Sequence, residues 1–202
     1  MADQAVNPPG PPDEARATLA TATGFTCDII ELVRADHRRI RSLCASLGAA
    51  ARPGDPGPRQ VPVQLWQQLA GLLVSHFEAE EEICHLALFQ AVPHADERRR
   101  ETVADHDDIR AAVEEASLQP AGSAPWWRAV TAAVAACAEH LDREERGVLA
   151  ECLPRLTWAQ RQMLGHQWSA FVAAQIRDSV HRPWASPWSA PVPGWTAAAN
   201  EQ

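Results

Sequence analysis

The positions of the prolines constrain the fold of this chain more than any other feature. Sixteen prolines among 202 residues cluster near both ends and at 53–62, and others lie near 93, 120–125 and 154. Proline is excluded from helix interiors, so each long proline-free stretch between them can form a helix. The stretches are rich in Ala, Leu, Glu and Arg, which have high helix propensity. The chain is therefore predicted to be helical.

The limits of these helices follow from local signals and from apolar residues that recur with helical periodicity. Thr26 is the predicted N-cap and Gly48 the predicted end of the first helix, and Ser123 is the predicted N-cap of the fourth. Thr157 and Gln160 form a capping-box pattern, which predicts a fifth helix. The predicted helices cover residues 27–47, 63–89, 95–118, 124–152 and 158–180.

Four long helices with short links are typical of an antiparallel up-down-up-down four-helix bundle. We therefore predict an all-α fold, with the bundle in residues 25–153 and a C-terminal helical extension in 154–181. Residues 1–24 are rich in Pro, Ala and Thr, and residues 182–202 form a Pro/Trp-rich tail. We expect both tails to be disordered.

Charge, hydropathy and cysteine spacing exclude several classes of protein. The 18 basic and 26 acidic residues give a formal net charge of −8, so nucleic-acid binding through net charge is not expected. No stretch approaches the ~20 apolar residues that span a membrane, and the N-terminus lacks the features of a signal peptide. The five cysteines form no CxxC pair. We expect reduced thiols in a cytoplasmic protein and no zinc ribbon.

The second half of the chain repeats a pattern of the first. ADHRRIR at 35–41 matches ADHDDIR at 104–110, and HFEAEE at 76–81 matches HLDREE at 140–145. Residues four apart lie on one side of a helix, so each HxxxE pair directs an imidazole and a carboxylate to the same place. The residues that form this H, HxxxE, H, HxxxE pattern are His37, His76, Glu80, His106, His140 and Glu144.

The same six residues lie in the apolar stripes that predict the core. With a rise of ~1.5 Å per residue, antiparallel neighbours bring them to roughly one layer. Burying four imidazoles and two carboxylates costs several kcal/mol unless another group satisfies them. A single buried histidine is usually an ordinary core residue, but two matched HxxxE pairs with two further histidines form a specific pattern. It predicts a site for a pair of metal ions, although a metal-free interaction bundle is the alternative.

With this pattern, the sequence resembles the hemerythrin-like domains, also called HHE cation-binding domains, over about residues 26–152. The resemblance implies an antiparallel four-helix bundle with a non-heme di-iron centre. It also implies an oxo or hydroxo group that bridges the two irons. The implied ligands are His37 and His76 for one iron, His106 and His140 for the other, and Glu80 and Glu144 as bridges.

One position departs from the oxygen-carrying hemerythrins, which have a fifth histidine four residues after the histidine of the third helix. Arg110 occupies that position, so reversible oxygen carriage is not expected. The pattern is closer to bacterial hemerythrin-like proteins, which implies peroxide decomposition, a nitric oxide response or iron handling. We expect a small ligand, most of all peroxide, with O2 or NO as others. Catalase-like turnover and an iron- or O2-sensing module without turnover both stay open, as does any protein partner of the Trp-rich tail.

Several residues near the pattern have more than one interpretation. Arg110 either approaches a bound peroxide or a bridging carboxylate, or extends into solvent. Glu81 is either an exposed residue or an auxiliary ligand. His85 lies about 180° around the second helix from His76 and is expected to face solvent.

Other residues are expected to pack the helices. Cys84 and Cys137 lie about one turn from predicted ligands, and we interpret them as small core residues. Trp158 and Trp168 are expected to pack the fifth helix against the bundle.

Overall fold

The structure is a computed structural model that describes residues 27–51 and 60–181. Within these ranges every regular element is helical and no strand occurs, which confirms the predicted all-α bundle. Both predicted tails lie outside the described residues. No described helix is long and apolar enough to cross a membrane.

The helices follow one another in nearly the predicted places. The second predicted helix contains a π-helical segment, and the fourth is divided in two. In chain order the elements are α1 (Ile29–Ala50), α2 (Gln60–Ala79), the π segment (Glu80–Cys84), α3 (His85–Gln90), α4 (Ala95–Leu118), α5 (Ala124–Arg146), α6 (Val148–Cys152) and α7 (Trp158–His181).

Both predicted ends of α1 were wrong. The N-cap is Asp28 rather than Thr26, because the Asp28 carboxylate accepts a hydrogen bond of 3.0 Å from the Ile30 amide. At the other end, the helix continues through Gly48 to Ala50. One glycine costs a helix about 1 kcal/mol, which the buried residues on the same helix offset.

The predicted starts of two other helices are confirmed. The Ser123 hydroxyl accepts a hydrogen bond of 3.2 Å from the Trp126 amide at the start of α5. At the start of α7, the Thr157 amide donates to the Gln160 side chain at 2.9 Å. The Gln160 amide donates back to the Thr157 hydroxyl at 3.3 Å, which completes the capping box.

The fourth predicted helix is interrupted at Gly147, where φ is −98° and ψ is −105°. A Cβ there would lie 2.7 Å from the carbonyl oxygen of Arg143, so glycine is required by the close approach of the backbone. Apolar periodicity continues on both sides of this break, and for that reason it predicts one helix where there are two.

A polar layer lies between two apolar clusters of the bundle. In α1, His37 lies between Val33 of one cluster and Ile40 of the other. In α2, His76 lies between Leu73 and Ala79 in the same way. The layer is therefore enclosed by apolar side chains above and below.

The helices α1 and α5 are antiparallel. His37 contacts Glu145, whereas Arg41, one turn later in α1, contacts Asp142, nearly one turn earlier in α5. This arrangement sets the histidine of α1 beside the HxxxE pair of α5.

The helix α7 packs on the bundle through one of its two predicted tryptophans. Trp168 is buried in the cluster that includes residues of α1 and α6. Trp158, at the first position of α7, is 44% exposed, so the prediction that it packs against the bundle was wrong.

Candidate metal centre

The structure brings all six predicted residues together in the polar layer, and each is at most 8% exposed. Their potential ligand atoms form two groups, in each of which the atoms lie within 4.8 Å of one another. Glu80 belongs to both groups. The first group contains His37, His76, Glu80 and Glu144, and the second contains Glu80, His106 and His140.

Glu80 directs one carboxylate oxygen towards each group. Its Oε1 lies 3.1 Å from His76 Nε2 and 3.8 Å from His37 Nε2. Its Oε2 lies 3.3 Å from His106 Nε2. This is the arrangement that a carboxylate shared by two metal positions requires.

Glu144 approaches the layer from the opposite helix. Its Oε2 lies 3.3 Å from His37 Nε2 and 3.8 Å from His140 Nε2. One histidine belongs to the first group and the other to the second. Glu144 therefore also lies at the boundary of the two groups.

The atoms that face the centre of the layer are chemically unsatisfied. Within the described residues they have no hydrogen-bond partner, although buried polar atoms almost always have one. Imidazole nitrogens and carboxylate oxygens suit iron and other divalent metals, so these residues fit a pair of metal ions. The atoms are the Nε2 of His37, His76, His106 and His140, both carboxylate oxygens of Glu80, and Oε2 of Glu144.

In the metal-free protein, the pKa values of two histidines in the layer are raised, so these histidines keep their protons to higher pH. Burial acts to lower the pKa of His37, but the carboxylates of Glu144 and Glu80 raise it to about 10. For His76 burial also acts to lower the pKa, and the charge of Glu80 together with Asp36 raises it to about 9. A metal ion needs neutral imidazole, so its binding must displace these protons.

Two glutamates outside the layer hold two of the histidines. Glu145 Oε1 lies 2.9 Å from His37 Nδ1, and Glu81 Oε1 lies 2.7 Å from His106 Nδ1. A carboxylate at Nδ1 fixes the tautomer that leaves the Nε2 lone pair directed inwards. Each glutamate serves a histidine from the other half of the chain.

Two aspartates occupy the corresponding places at the other two histidines. Asp105 Oδ2 lies 3.4 Å from His140 Nδ1. Asp36 Oδ2 is 3.7 Å from His76 Nδ1, which is longer than a hydrogen bond. These aspartates serve histidines of their own half of the chain. Each of the four imidazoles thus faces a carboxylate outside the layer, which we call an outer carboxylate, but the four contacts range from 2.7 to 3.7 Å.

Three of these outer carboxylates were missed by the sequence analysis, namely Asp36, Asp105 and Glu145. The signal was present in the internal repeat. An aspartate precedes the first histidine of each half, and a second glutamate follows each HxxxE pair. The repeat therefore encodes the orienting groups as well as the potential ligands. Glu81, predicted to be exposed or an auxiliary ligand, is an outer carboxylate and is partly buried.

Arg110 does not extend into solvent, and the carboxylate that it contacts is Glu81. Its guanidinium contacts Glu81 Oε1 at 2.8 Å and lies 5.7 Å from the centroid of the Phe77 ring. Its side chain is only 19% exposed. It therefore neutralises an outer carboxylate. Two further arginines do the same, with Arg41 at 3.5 Å from Glu145 and Arg143 at 2.7 Å from Asp105.

The prediction that His85 faces solvent was wrong, because the π segment changes the helical register. The His85 amide donates to the Glu80 carbonyl, which closes a wider turn. One extra residue in a turn rotates the following residues by about 100° relative to an α-helix. His85 is consequently 6% exposed, and its ring stacks on His106 at 5.9 Å. Burial, together with the charge of His106, lowers the pKa of His85 to about 4.

The cysteines near the layer lie where the sequence predicts. Cys84 and Cys137 are 2% and 0% exposed, which confirms their interpretation as core residues. Neither belongs to the groups of potential metal ligands among the described residues.

A family model for the hemerythrin HHE cation-binding domain matches residues 28–152. Comparisons with curated proteins and with solved structures returned no match. The matched range contains the four bundle helices and all six residues of the polar layer, and it ends before α7. Because the match spans more than half of the chain, the protein belongs to the hemerythrin HHE cation-binding domain family.

Proposed function

We propose that this protein holds two iron ions with an oxo or hydroxo bridge and decomposes hydrogen peroxide in a catalase-like reaction. The observation that carries the proposal is the pair of ligand groups joined by Glu80, whose inward-facing atoms have no partner among the described residues. The donor set of imidazole and carboxylate supports iron, and family membership supports the same choice. NO and O2 are the alternative small ligands that the same centre would bind.

Bound iron would supply one-electron redox chemistry and open coordination positions for a small ligand. The chain supplies the positioning. Glu80 offers one oxygen to each group, and the outer carboxylates keep the imidazole Nε2 atoms directed inwards. The apolar clusters on both sides of the layer keep bulk water out.

A small cavity next to the layer has room for a molecule about the size of water. Phe77 forms part of its wall, and the Phe77 ring stacks on His106 of the layer with a centroid distance of 4.1 Å. Its walls are apolar except for Arg110. The lining residues are Ala70, Leu73, Val74, Phe77, Ile109, Arg110 and Val113.

Oxygen release from peroxide tests the catalytic part of the proposal. We expect His76→Ala and Glu144→Ala to lower the release rate by at least about 100-fold, since each removes a group that faces the layer. Glu139→Ala is the control, because Glu139 is exposed on the same helix as Glu144. Unchanged release in both variants would contradict the proposal. An iron spectrum that responds to O2 or NO without oxygen release would instead favour a sensing or binding module.

A second prediction concerns the outer carboxylates. Glu81→Gln is expected to weaken metal affinity by about 10- to 100-fold, the usual effect of losing a carboxylate that orients a metal-bound histidine. Glu82→Gln is the matched control, because Glu82 is the next residue and is exposed. Competition with a coloured chelator measures the affinity. Equal affinities for the two variants would show that Glu81 does not orient His106.

We also propose a cytoplasmic location. All five cysteines are free thiols, including the three that are buried. Free thiols are typical of a reducing compartment.

A further inference from the structure

His76 is held differently from the other three histidines of the layer. Neither of its ring nitrogens has a hydrogen-bond partner in the described part of the chain. The nearest outer carboxylate, Asp36, is 3.7 Å from its Nδ1. In contrast, the Nδ1 atoms of His37, His106 and His140 have carboxylate partners at 2.9, 2.7 and 3.4 Å. His76 Nε2 lies 3.1 Å from Glu80 Oε1, but no hydrogen bond from Nδ1 to a described residue constrains the rotation of the His76 ring.

Aromatic rings surround His76 instead. The Trp168 indole meets it edge to face, with a centroid distance of 5.7 Å and an interplanar angle of 73°. Phe77 and His37 lie 5.8 and 5.0 Å away, but Phe77 also stacks on His106, and His37 is itself part of the layer. Trp168 is thus the ring contact that comes from outside the bundle helices.

The first half of α7 is seated closely on the start of α1. A Cβ on Gly165 would overlap the carbonyl oxygen of Cys27, so only glycine permits this approach. Arg161 forms an ion pair of 3.3 Å with Asp28, the N-cap of α1. Trp168 follows Gly165 by less than one turn, so its position depends on this backbone contact.

The second half of α7 is anchored on either side of His76 in sequence. The Ser75 hydroxyl donates a hydrogen bond to the Gln175 side chain. The Gln175 amide in turn donates to the Glu78 carboxylate at 2.6 Å. Contacts on both sides of Trp168 therefore hold its indole against the imidazole.

We propose that Trp168 is a positioning residue for His76, and that its indole fixes the ring rotation that hydrogen bonds fix in the other three histidines. The helix α7 is then part of the metal centre, although it lies outside the matched family range of 28–152. Trp168 acts through His76 and is not one of the potential ligands. The metal-release test below rests on the proposed metal binding, whereas the ring-order test does not.

Metal release tests the proposal on the loaded protein. Trp168→Leu keeps an apolar side chain but removes the ring, and we expect one of the two ions to transfer to a chelator about ten-fold faster. Trp168→Phe restores an aromatic ring and is expected to return the rate to within about two-fold of the unmodified protein. Trp158→Leu, on the same helix but exposed, should have no effect. Equal release rates for the unmodified protein and the leucine variant at position 168 would overturn the proposal.

Ring order in the metal-free protein gives a separate readout. Nitrogen-15 NMR of the histidine side chains measures the chemical shifts and line widths of the ring nitrogens, and line broadening reports exchange between ring orientations. The His76 signals are assigned from a His76→Gln variant. We expect broadened His76 signals in the Trp168→Leu protein, sharp ones in Trp168→Phe, and unchanged His106 signals in both. Unbroadened His76 signals would overturn the proposal even if metal binding holds. Failure of the unmodified protein to bind metal would reject the proposed function and leave this measurement valid.

Gly165→Ala provides a second variant, which displaces α7 while leaving the indole intact. We expect it to accelerate metal release and to broaden the His76 signals as Trp168→Leu does. Circular dichroism verifies that the helix content of the protein is retained. Normal His76 signals in a protein with a displaced α7 would overturn the role of this helix.

Discussion

Replacing Glu80 by alanine is expected to abolish binding at both metal positions. Glu80 is the residue common to the two groups of potential ligands, and it directs a different oxygen towards each. Glu144 belongs to the first group alone, and its oxygen is farther from His140 of the second group, at 3.8 Å, than from His37, at 3.3 Å. Glu144→Ala should therefore abolish binding at the first position and leave the second able to bind, although more weakly. The two variants therefore differ in how many ions remain, although both remove one carboxylate from the same layer.

Metal content after anaerobic loading and dialysis measures this difference by mass spectrometry. Glu82→Ala is the control, because Glu82 is two residues from Glu80 and is exposed. Circular dichroism confirms that each variant is folded. Retention of one full ion by the Glu80→Ala protein would show that the two positions do not share this carboxylate.

Removing the metal is expected to lower the midpoint of thermal unfolding by about 10 °C or more. A ligand at 1,000 times its dissociation constant stabilises the folded state by about 4 kcal/mol. In a domain of this size each kcal/mol shifts the midpoint by about 2–4 °C. Calorimetry before and after chelation, and again after metal is restored, measures the shift. A midpoint that does not change on chelation would indicate a metal-free bundle.

The lowering of the unfolding midpoint on metal removal should become larger as the pH rises. The pKa values of His37 and His76 are raised to about 10 and about 9, above the value of about 6.5 in an unfolded chain. Their protonated forms therefore stabilise the metal-free fold fully below pH 6.5, and this contribution is lost as the pH rises through 9 and 10. Midpoints of the metal-free protein should thus fall between pH 7 and 10, while the loaded protein changes less. An equal pH dependence of both forms would contradict this assignment.

The positions of the six layer residues could be predicted because helical periodicity is a property of sequence spacing alone. His76 and Glu80 lie one turn apart in α2 and at the start of the π segment, before the register changes. His85 lies after that change, and no apolar pattern marks the extra residue in the turn. The prediction for His85 was wrong for this reason.

Contacts between helices were less predictable than positions along them. The repeat shows that aspartates and second glutamates recur, but not which histidine each one reaches. The salt bridge of Arg110 with Glu81 depends on the separation of the π segment and α4, which sequence spacing does not fix. The break at Gly147 likewise depends on a backbone approach of 2.7 Å to Arg143.

The interleaving of the two halves has a consequence for how such a protein can change over generations. The first group combines three residues of the first half with Glu144, and the second combines Glu80 with two histidines of the second half. The outer glutamates cross between halves as well. If the repeat arose by duplication of a two-helix hairpin, a single hairpin contained neither complete site. Two copies had to associate before either site could bind metal. A substitution in one copy then alters a site that also contains residues of the other copy. The two copies therefore have to change together if both sites are to be kept.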